Sequence, residues 1–149
     1  MAQLDLVQRW LRGRQNVIVE LVGLTREVRS TAGSEEALHR RLQNFCADLV
    51  DYVSAGHFEI YSRLVSTTQA ARLFAKLGAQ LQHTTDNVLA FNDAVARRPP
   101  DLTRLRRMLT DVGIALEARL AIEDRLINAG RVMVSEREQQ TTAMFAARV

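Results

Sequence analysis

The stretch LVDYVSAGHFEIYSRL, from Leu49 to Leu64, carries two different faces if it forms one α-helix. At about 100° per residue, its large apolar residues recur at three- and four-residue steps and fall on one wide arc. The arc extends back to Leu38 and predicts a side that packs in a hydrophobic core. Its members are Leu38, Leu42, Phe45, Leu49, Tyr52, Val53, Gly56, Ile60 and Leu64.

The opposite side of this helix lacks the long charged residues that usually face water. It carries small residues around one aromatic residue, Phe58, with Asp51 one heptad earlier. Small side chains let another helix approach closely, and an aromatic anchor beside a charge is typical of an interface hot spot. Periodicity alone slightly favours a simpler interpretation, a central helix buried on both sides. The face consists of Ala47, Asp51, Ser54, Ala55, Phe58, Ser62 and Val65.

Similar spacing predicts four helices in this chain of 149 residues. Short connections between long amphipathic helices favour an all-α, up-down four-helix bundle. We expect a single domain over residues 1–149, in which 135–149 form a frayed tail or a short docked helix. The segments run from about Leu4 to Val28, from a Ser34 cap to Val65, between the cap residues 66–68 and Pro99-Pro100, and onward from an Asp101 cap.

Composition excludes several classes of protein. One cysteine, Cys46, excludes an internal disulfide and a cysteine-based zinc site, and its place at the edge of the core arc predicts an inert thiol. There is no N-terminal apolar segment of the signal-peptide kind. No apolar run approaches the roughly 18 residues that a membrane span needs. We therefore expect a cytoplasmic protein without a membrane contact.

A degenerate, hemerythrin-like metal-binding bundle is one alternative function. Such sites place His and a carboxylate one turn apart on inward helix faces. His57 meets Tyr61 where a carboxylate is needed, and Glu123 has Arg119 where His is needed. The sequence therefore predicts no metal, no cofactor and no enzyme activity. It also favours a structural, hydrogen-bonded His57 and a pairing of Arg119 with Glu123 or with another buried carboxylate in the bundle.

The distribution of charge separates the second predicted helix from the rest of the chain. Residues 34–66 hold five acidic and three basic residues, although the whole chain has a net charge of +3. An acidic helix suits a basic protein partner. A second alternative, nucleic-acid binding, is suggested by a basic cluster near the last turn. Arginine-rich composition and solvated helix ends explain that cluster more simply. It comprises Arg97, Arg98, Arg104, Arg106 and Arg107.

Three separated motifs occur along the chain. They are Val7, Arg9, Trp10, Leu11 and Arg14; then Phe45-Cys46 with LVDYVSAGHFEIY; and finally Asp111, Gly113, Ala115, Leu116, Glu117, Ala118, Arg119, Glu123, Asp124, Leu126 and Ile127. These motifs resemble those of the Rsd/AlgQ family, the bacterial regulators of the primary sigma factor. Gln8 departs from the first motif, where the family commonly has Asp. Because the sequence begins close to this motif, we expect most of the family's N-terminal extension to be missing.

The resemblance implies an anti-sigma factor. Family members bind the primary sigma factor of RNA polymerase, chiefly its C-terminal region that recognises the −35 promoter element, and sequester it from core polymerase and promoter DNA. Carried over by position, Asp51 and Phe58 are the expected sigma-binding residues, with Ser54, Ala55 and Ser62 around them. No catalysis, cofactor or direct nucleic-acid contact is expected.

Overall fold

The fold, described by a computed structural model over residues 2–30 and 34–130, is the predicted all-α four-helix bundle. Helix α1 pairs most extensively with α2, and α3 with α4. Within the described ranges there is no β-strand. The predicted segment 135–149 lies outside the described residues. The helices are α1 (Ala2–Glu27), α2 (the consecutive segments Glu35–Ala55, Gly56–Ile60 and Tyr61–Leu64), α3 (Thr68–Arg97) and α4 (Leu102–Ala129).

Side-chain caps begin three of these helices, as the sequence predicts. Ser34 Oγ accepts a hydrogen bond from the Ala37 amide, and Asp101 Oδ1 accepts one from the Arg104 amide. Each cap provides a partner for one of the amides that the first helical turn leaves unpaired. Thr67 caps α3 and also donates its hydroxyl to the Ala129 carbonyl at 2.8 Å. This last bond ties the start of α3 to the end of α4.

The predicted core arc of α2 is buried, except that Leu38 is only half-buried. In the later helices the spacing also identifies core residues such as Leu77 and Leu109. Apolar spacing alone also predicts core positions for three residues of these helices that are exposed, because they fall beside the buried stripes: Ala71, Leu89 and Leu102.

Helix α2 contains a π-helical turn, Gly56–Ile60, which the sequence did not predict. The Tyr61 amide bonds to the Gly56 carbonyl, five residues back, so the turn holds one extra residue. The extra residue rotates the rest of the helix and brings Tyr61 into the core. Gly56 leaves room for the Tyr61 ring, since a Cβ there would lie 3.2 Å from Tyr61 Cζ and from its hydroxyl oxygen.

A buried carboxylate connects three of the helices. Glu123 in α4 is fully buried and accepts hydrogen bonds from the hydroxyls of Tyr52, at 2.5 Å, and Tyr61, at 2.6 Å. Its carboxylate also lies 3.5 Å from Arg14 Nη1 and 3.3 Å from Arg119 Nε. The predicted pairing of Arg119 with Glu123 is therefore confirmed. Burial, followed by the charge of Glu123, raises the pKa of both tyrosines, which keeps them protonated donors.

Helix α3, the remaining helix, joins this cluster through Arg119 of α4. Its Nη1 donates to the hydroxyls of Thr84 and Thr85 in α3, at 3.1 and 2.8 Å. Its guanidinium also lies over the rings of Tyr52 and Tyr61, 5.5 Å from each centroid. All four helices therefore meet at one group of polar side chains inside the bundle.

We predict that Glu123→Gln destabilises the fold strongly. The substitution removes the carboxylate charge beside the buried Arg119, whereas Arg14 keeps its 2.9 Å ion pair with Asp124. Breaking a buried ion pair costs about 3–5 kcal/mol. Urea unfolding of the two proteins measures the difference. Asp111→Asn, at an exposed carboxylate of the same helix, is the matched control and should change the free energy of unfolding by less than about 0.5 kcal/mol. Equal urea midpoints for Glu123→Gln and wild type would contradict the structural role of the cluster.

Candidate functional site

The outward side of α2 presents an exposed aromatic residue among small ones. Phe58 is 78% exposed, more than any other large hydrophobic residue in the described part of the chain. Burial of this helix on both sides, which periodicity slightly favoured, is therefore wrong. We call the five residues of the predicted binding side the Phe58 face: Asp51, Ser54, Ala55, Phe58 and Ser62.

The other members of the Phe58 face differ in exposure. Asp51 and Ser62 are exposed, whereas Ser54 and Ala55 are half-buried. The Ser62 hydroxyl donates to the Glu59 carbonyl at 3.3 Å, so it makes a bond within its own helix. The Phe58 face therefore presents one large apolar side chain, Phe58, and one exposed carboxylate, Asp51, with small side chains between them.

His57 belongs beside this face rather than inside the bundle. The expected structural histidine is wrong, because His57 is exposed. Its ring meets the Phe58 ring edge-on, with centroids 4.8 Å apart and planes at 81°. The two rings form a continuous aromatic projection at the π-helical turn.

A groove of about 360 Å³ lies beside the Phe58 face, between α1 and α2. Trp10 and Ile60 contribute apolar surface to it. Its lining also holds three carboxylates, those of Asp48, Asp51 and Glu59, and one cation, Arg9. The net charge of the lining is therefore negative. Sequence reasoning counted these acidic residues in α2 but did not place them around one groove, because that requires knowing how α1 crosses α2.

Two carboxyl groups approach each other across the same pair of helices. Burial of Glu20 in α1, its hydrogen bond to Asp48 in α2 and the charge of Asp48 raise the pKa of Glu20 to about 7. The charge of Arg41 opposes this shift in part. The negative charge of this region therefore changes near neutral pH.

Metal and thiol chemistry find little support in this structure. Within residues 2–30 and 34–130, no three His, Cys, Asp or Glu side chains are grouped so that they could hold a metal ion. Burial raises the pKa of the Cys46 thiol to about 11, so the thiol is protonated and weakly nucleophilic at neutral pH. None of the described helices is long and apolar enough to cross a membrane. That purified protein holds no metal stays a prediction.

We predict that Glu20→Gln stabilises the protein relative to wild type as pH rises. The folded state raises the pKa of Glu20 from 4.5 to about 7, so its contribution to stability is present below about pH 4.5 and is lost as pH rises through 7. Glutamine cannot ionise and should escape this loss. Melting temperatures at pH 5 and pH 8 measure the effect, with Glu36→Gln at an exposed position as control. If the difference in melting temperature between Glu20→Gln and wild type is the same at both pH values, the pKa of Glu20 is not raised by folding.

Comparison with known proteins places this helical bundle in a family. The sequence profile described as regulator of RNA polymerase sigma(70) subunit, Rsd/AlgQ, matches residues 2–130. A protein named regulator of sigma D from Yersinia enterocolitica is 33% identical over 132 residues, which cover 83% of this chain and 78% of that protein. A protein of the same name from Shigella boydii is 37% identical, covering 82% of this chain and 81% of its own length. The resemblance seen in the three motifs is confirmed, and the chain belongs to the Rsd/AlgQ family of sigma(70) regulators.

Proposed function

We propose that this protein is an anti-sigma factor that binds the primary sigma factor through the Phe58 face. It would contact chiefly the C-terminal region that recognises the −35 promoter element, and so sequester sigma from core polymerase and promoter DNA. The observation that carries this proposal is an exposed aromatic residue next to an acidic groove, on a chain of the Rsd/AlgQ family. The action would be cytoplasmic and would need no cofactor and no catalytic turnover.

Phe58 supplies the apolar part of the proposed contact. Covering a fully exposed Phe side chain contributes about 1.5–3 kcal/mol, and Phe58 is 78% exposed before binding. Ser54 and Ala55 lie low on the helix, so a partner helix can approach its backbone closely. An aromatic anchor surrounded by small residues concentrates binding energy at one point.

The acidic groove supplies the electrostatic part. A protein segment that reads promoter DNA must itself be basic, because DNA carries a dense negative charge. Asp48, Asp51 and Glu59 place three carboxylates along the groove beside Phe58. Complementary charge of this kind steers association and selects the partner. A sigma segment held here would have its DNA-reading side chains occupied by protein carboxylates instead of phosphates.

The mechanism that follows is occlusion by equilibrium binding. While sigma is bound, the surface that faces α2 is unavailable to promoter DNA. Nothing in this scheme is consumed, so the effect depends on the relative concentrations of sigma, polymerase and this protein. Transcription would shift toward alternative sigma factors when this protein is abundant.

We predict that Phe58→Ala weakens sigma binding without a comparable loss of stability. Truncating a hot-spot aromatic residue costs about 2 kcal/mol or more, which is a rise in Kd of roughly thirtyfold. Because Phe58 is exposed, its loss leaves no core cavity. Titration calorimetry with the purified primary sigma factor measures Kd, and a thermal melt measures stability.

Ile114→Ala is the matched control for this substitution. Ile114 in α4 is 56% exposed and lies outside the Phe58 face, so its truncation removes apolar surface elsewhere. Its Kd for sigma should equal that of wild type. If Phe58→Ala and Ile114→Ala both leave the Kd unchanged, sigma does not bind at the Phe58 face.

We predict that Asp51→Asn weakens sigma binding at low salt, and that the difference shrinks as salt rises. The substitution keeps the size of the side chain but removes one of the groove carboxylates. A partly desolvated, charge-assisted hydrogen bond is worth about 1.5–3 kcal/mol, whereas an exposed ion pair gives less than about 1 kcal/mol. Kd values at 50 mM and 500 mM salt distinguish the two, with Asp111→Asn on α4 as a control of equal charge. Unchanged binding by Asp51→Asn at low salt would remove this residue from the site.

A further inference from the structure

A second cavity, of about 720 Å³, lies at the turn between α3 and α4, away from the Phe58 face. Three arginines line it: Arg97 at the end of α3, Arg98 in the turn, and Arg104 in the first turn of α4. Two carboxylates, Asp93 and Asp101, line it as well. Its volume is within the range of small-molecule binding sites, about 300–1,000 Å³.

The positive charge of this cavity is not balanced by ion pairs. Asp101 is engaged as the cap of α4, where its Oδ1 accepts from the Arg104 backbone amide at 2.8 Å. Among the described residues, none of the three cavity arginines forms a salt bridge with a carboxylate. Three guanidinium groups and two carboxylates therefore line one space, which leaves its lining with a net positive charge and the three arginines without a salt bridge among the described residues.

The neighbouring arginines show that this arrangement is specific to the cavity. Arg106 donates two hydrogen bonds, at 3.0 and 2.8 Å, to the Val28 carbonyl and so satisfies the end of α1. Arg107 is exposed and does not line the cavity. The basic cluster of the sequence therefore divides into a structural arginine, a surface arginine and three that share a cavity.

We propose that this cavity binds a small ligand that carries two or more phosphate groups. The planar guanidinium group matches phosphate oxygens in two parallel hydrogen bonds, and arginine pairs of this kind are strong and directional. The amino end of α4, a helix of 28 residues, adds the positive end of its dipole at the same place. A di- or triphosphate offers more charge and more acceptor oxygens to three arginines than a single phosphate does, so it is the better match to this lining.

The cavity at the turn between α3 and α4 and the Phe58 face lie toward opposite ends of the bundle. Arg106 ties the start of α4 to Val28, at the end where α2 begins, whereas Thr67 ties the end of α4 to the other end of α2. Phe58 is 23 residues beyond Glu35 in α2, which is about 35 Å along the helix axis. A phosphate ligand and a protein on the Phe58 face can therefore bind together.

Titration calorimetry of the full chain with sodium tripolyphosphate at low salt tests this proposal. We expect one molecule bound per chain, weaker binding at higher salt, and at least a tenfold rise in Kd for Arg97→Ala, Arg98→Ala and Arg104→Ala. Arg107→Ala removes the same charge from outside the cavity and should keep the Kd within twofold. ATP should bind comparably to tripolyphosphate, whereas adenosine should not bind.

Other outcomes would overturn the proposal. An equal loss of tripolyphosphate affinity in Arg107→Ala and Arg104→Ala would indicate binding to a diffuse basic surface and not to a defined site. Binding of adenosine, or of a single-stranded oligonucleotide without any binding of tripolyphosphate, would indicate recognition of something other than a compact phosphate group. A circular dichroism melt confirms that each variant is folded, and Phe58→Ala should bind tripolyphosphate as wild type does, which separates this site from sigma binding.

Discussion

The buried carboxylate of Glu123 is the interaction on which the arrangement of this bundle depends. Removing a carboxylate from water costs several kcal/mol unless oppositely charged and hydrogen-bonding groups replace the water. Here the replacements come from different helices: Arg14 from α1, Tyr52 and Tyr61 from α2, and Arg119 from α4 itself. Each partner reaches the carboxylate only at one rotation of its helix, so the cluster selects one packing arrangement from the many that apolar faces alone allow.

The same cluster accounts for the π-helical turn in α2. Tyr52 and Tyr61 are nine residues apart and would point in roughly opposite directions in a regular helix, at about 100° per residue. Both hydroxyls nevertheless bond to Glu123, and the extra residue of the turn Gly56–Ile60 makes that possible. This turn also carries Phe58 on its outer side. A constraint inside the bundle therefore helps to set the direction of the aromatic side chain that the partner is proposed to contact.

These dependencies explain which features the sequence could predict. Helix limits and the core arc follow from local rules, namely capping at Ser34 and Asp101 and apolar spacing along each helix, and they are confirmed. The π-helical turn was missed because its cause is a contact between Tyr61 and a residue 62 positions away. The grouping of acidic residues around the α1–α2 groove was missed for the same reason. Spacing put Phe58 on the side of α2 opposite the core arc, but spacing alone slightly favoured burial of that side as well, and only the packed structure shows Phe58 exposed. Which partner Phe58 meets stays a prediction.

The residues of the three motifs that carry the family resemblance serve two different purposes: some hold the fold together and others are exposed to a partner. Most of their distinctive polar and aromatic residues, including Trp10, Arg14 and Arg119, contribute to the buried cluster and its surroundings. Similarity at these positions explains why the chain shares the family's fold. The motif residues that a partner can reach are the exposed ones, among them Asp51, His57 and Phe58 on α2. A substitution inside the cluster therefore tests folding, and only the exposed positions distinguish a sigma-binding protein from a bundle that shares its architecture but binds something else.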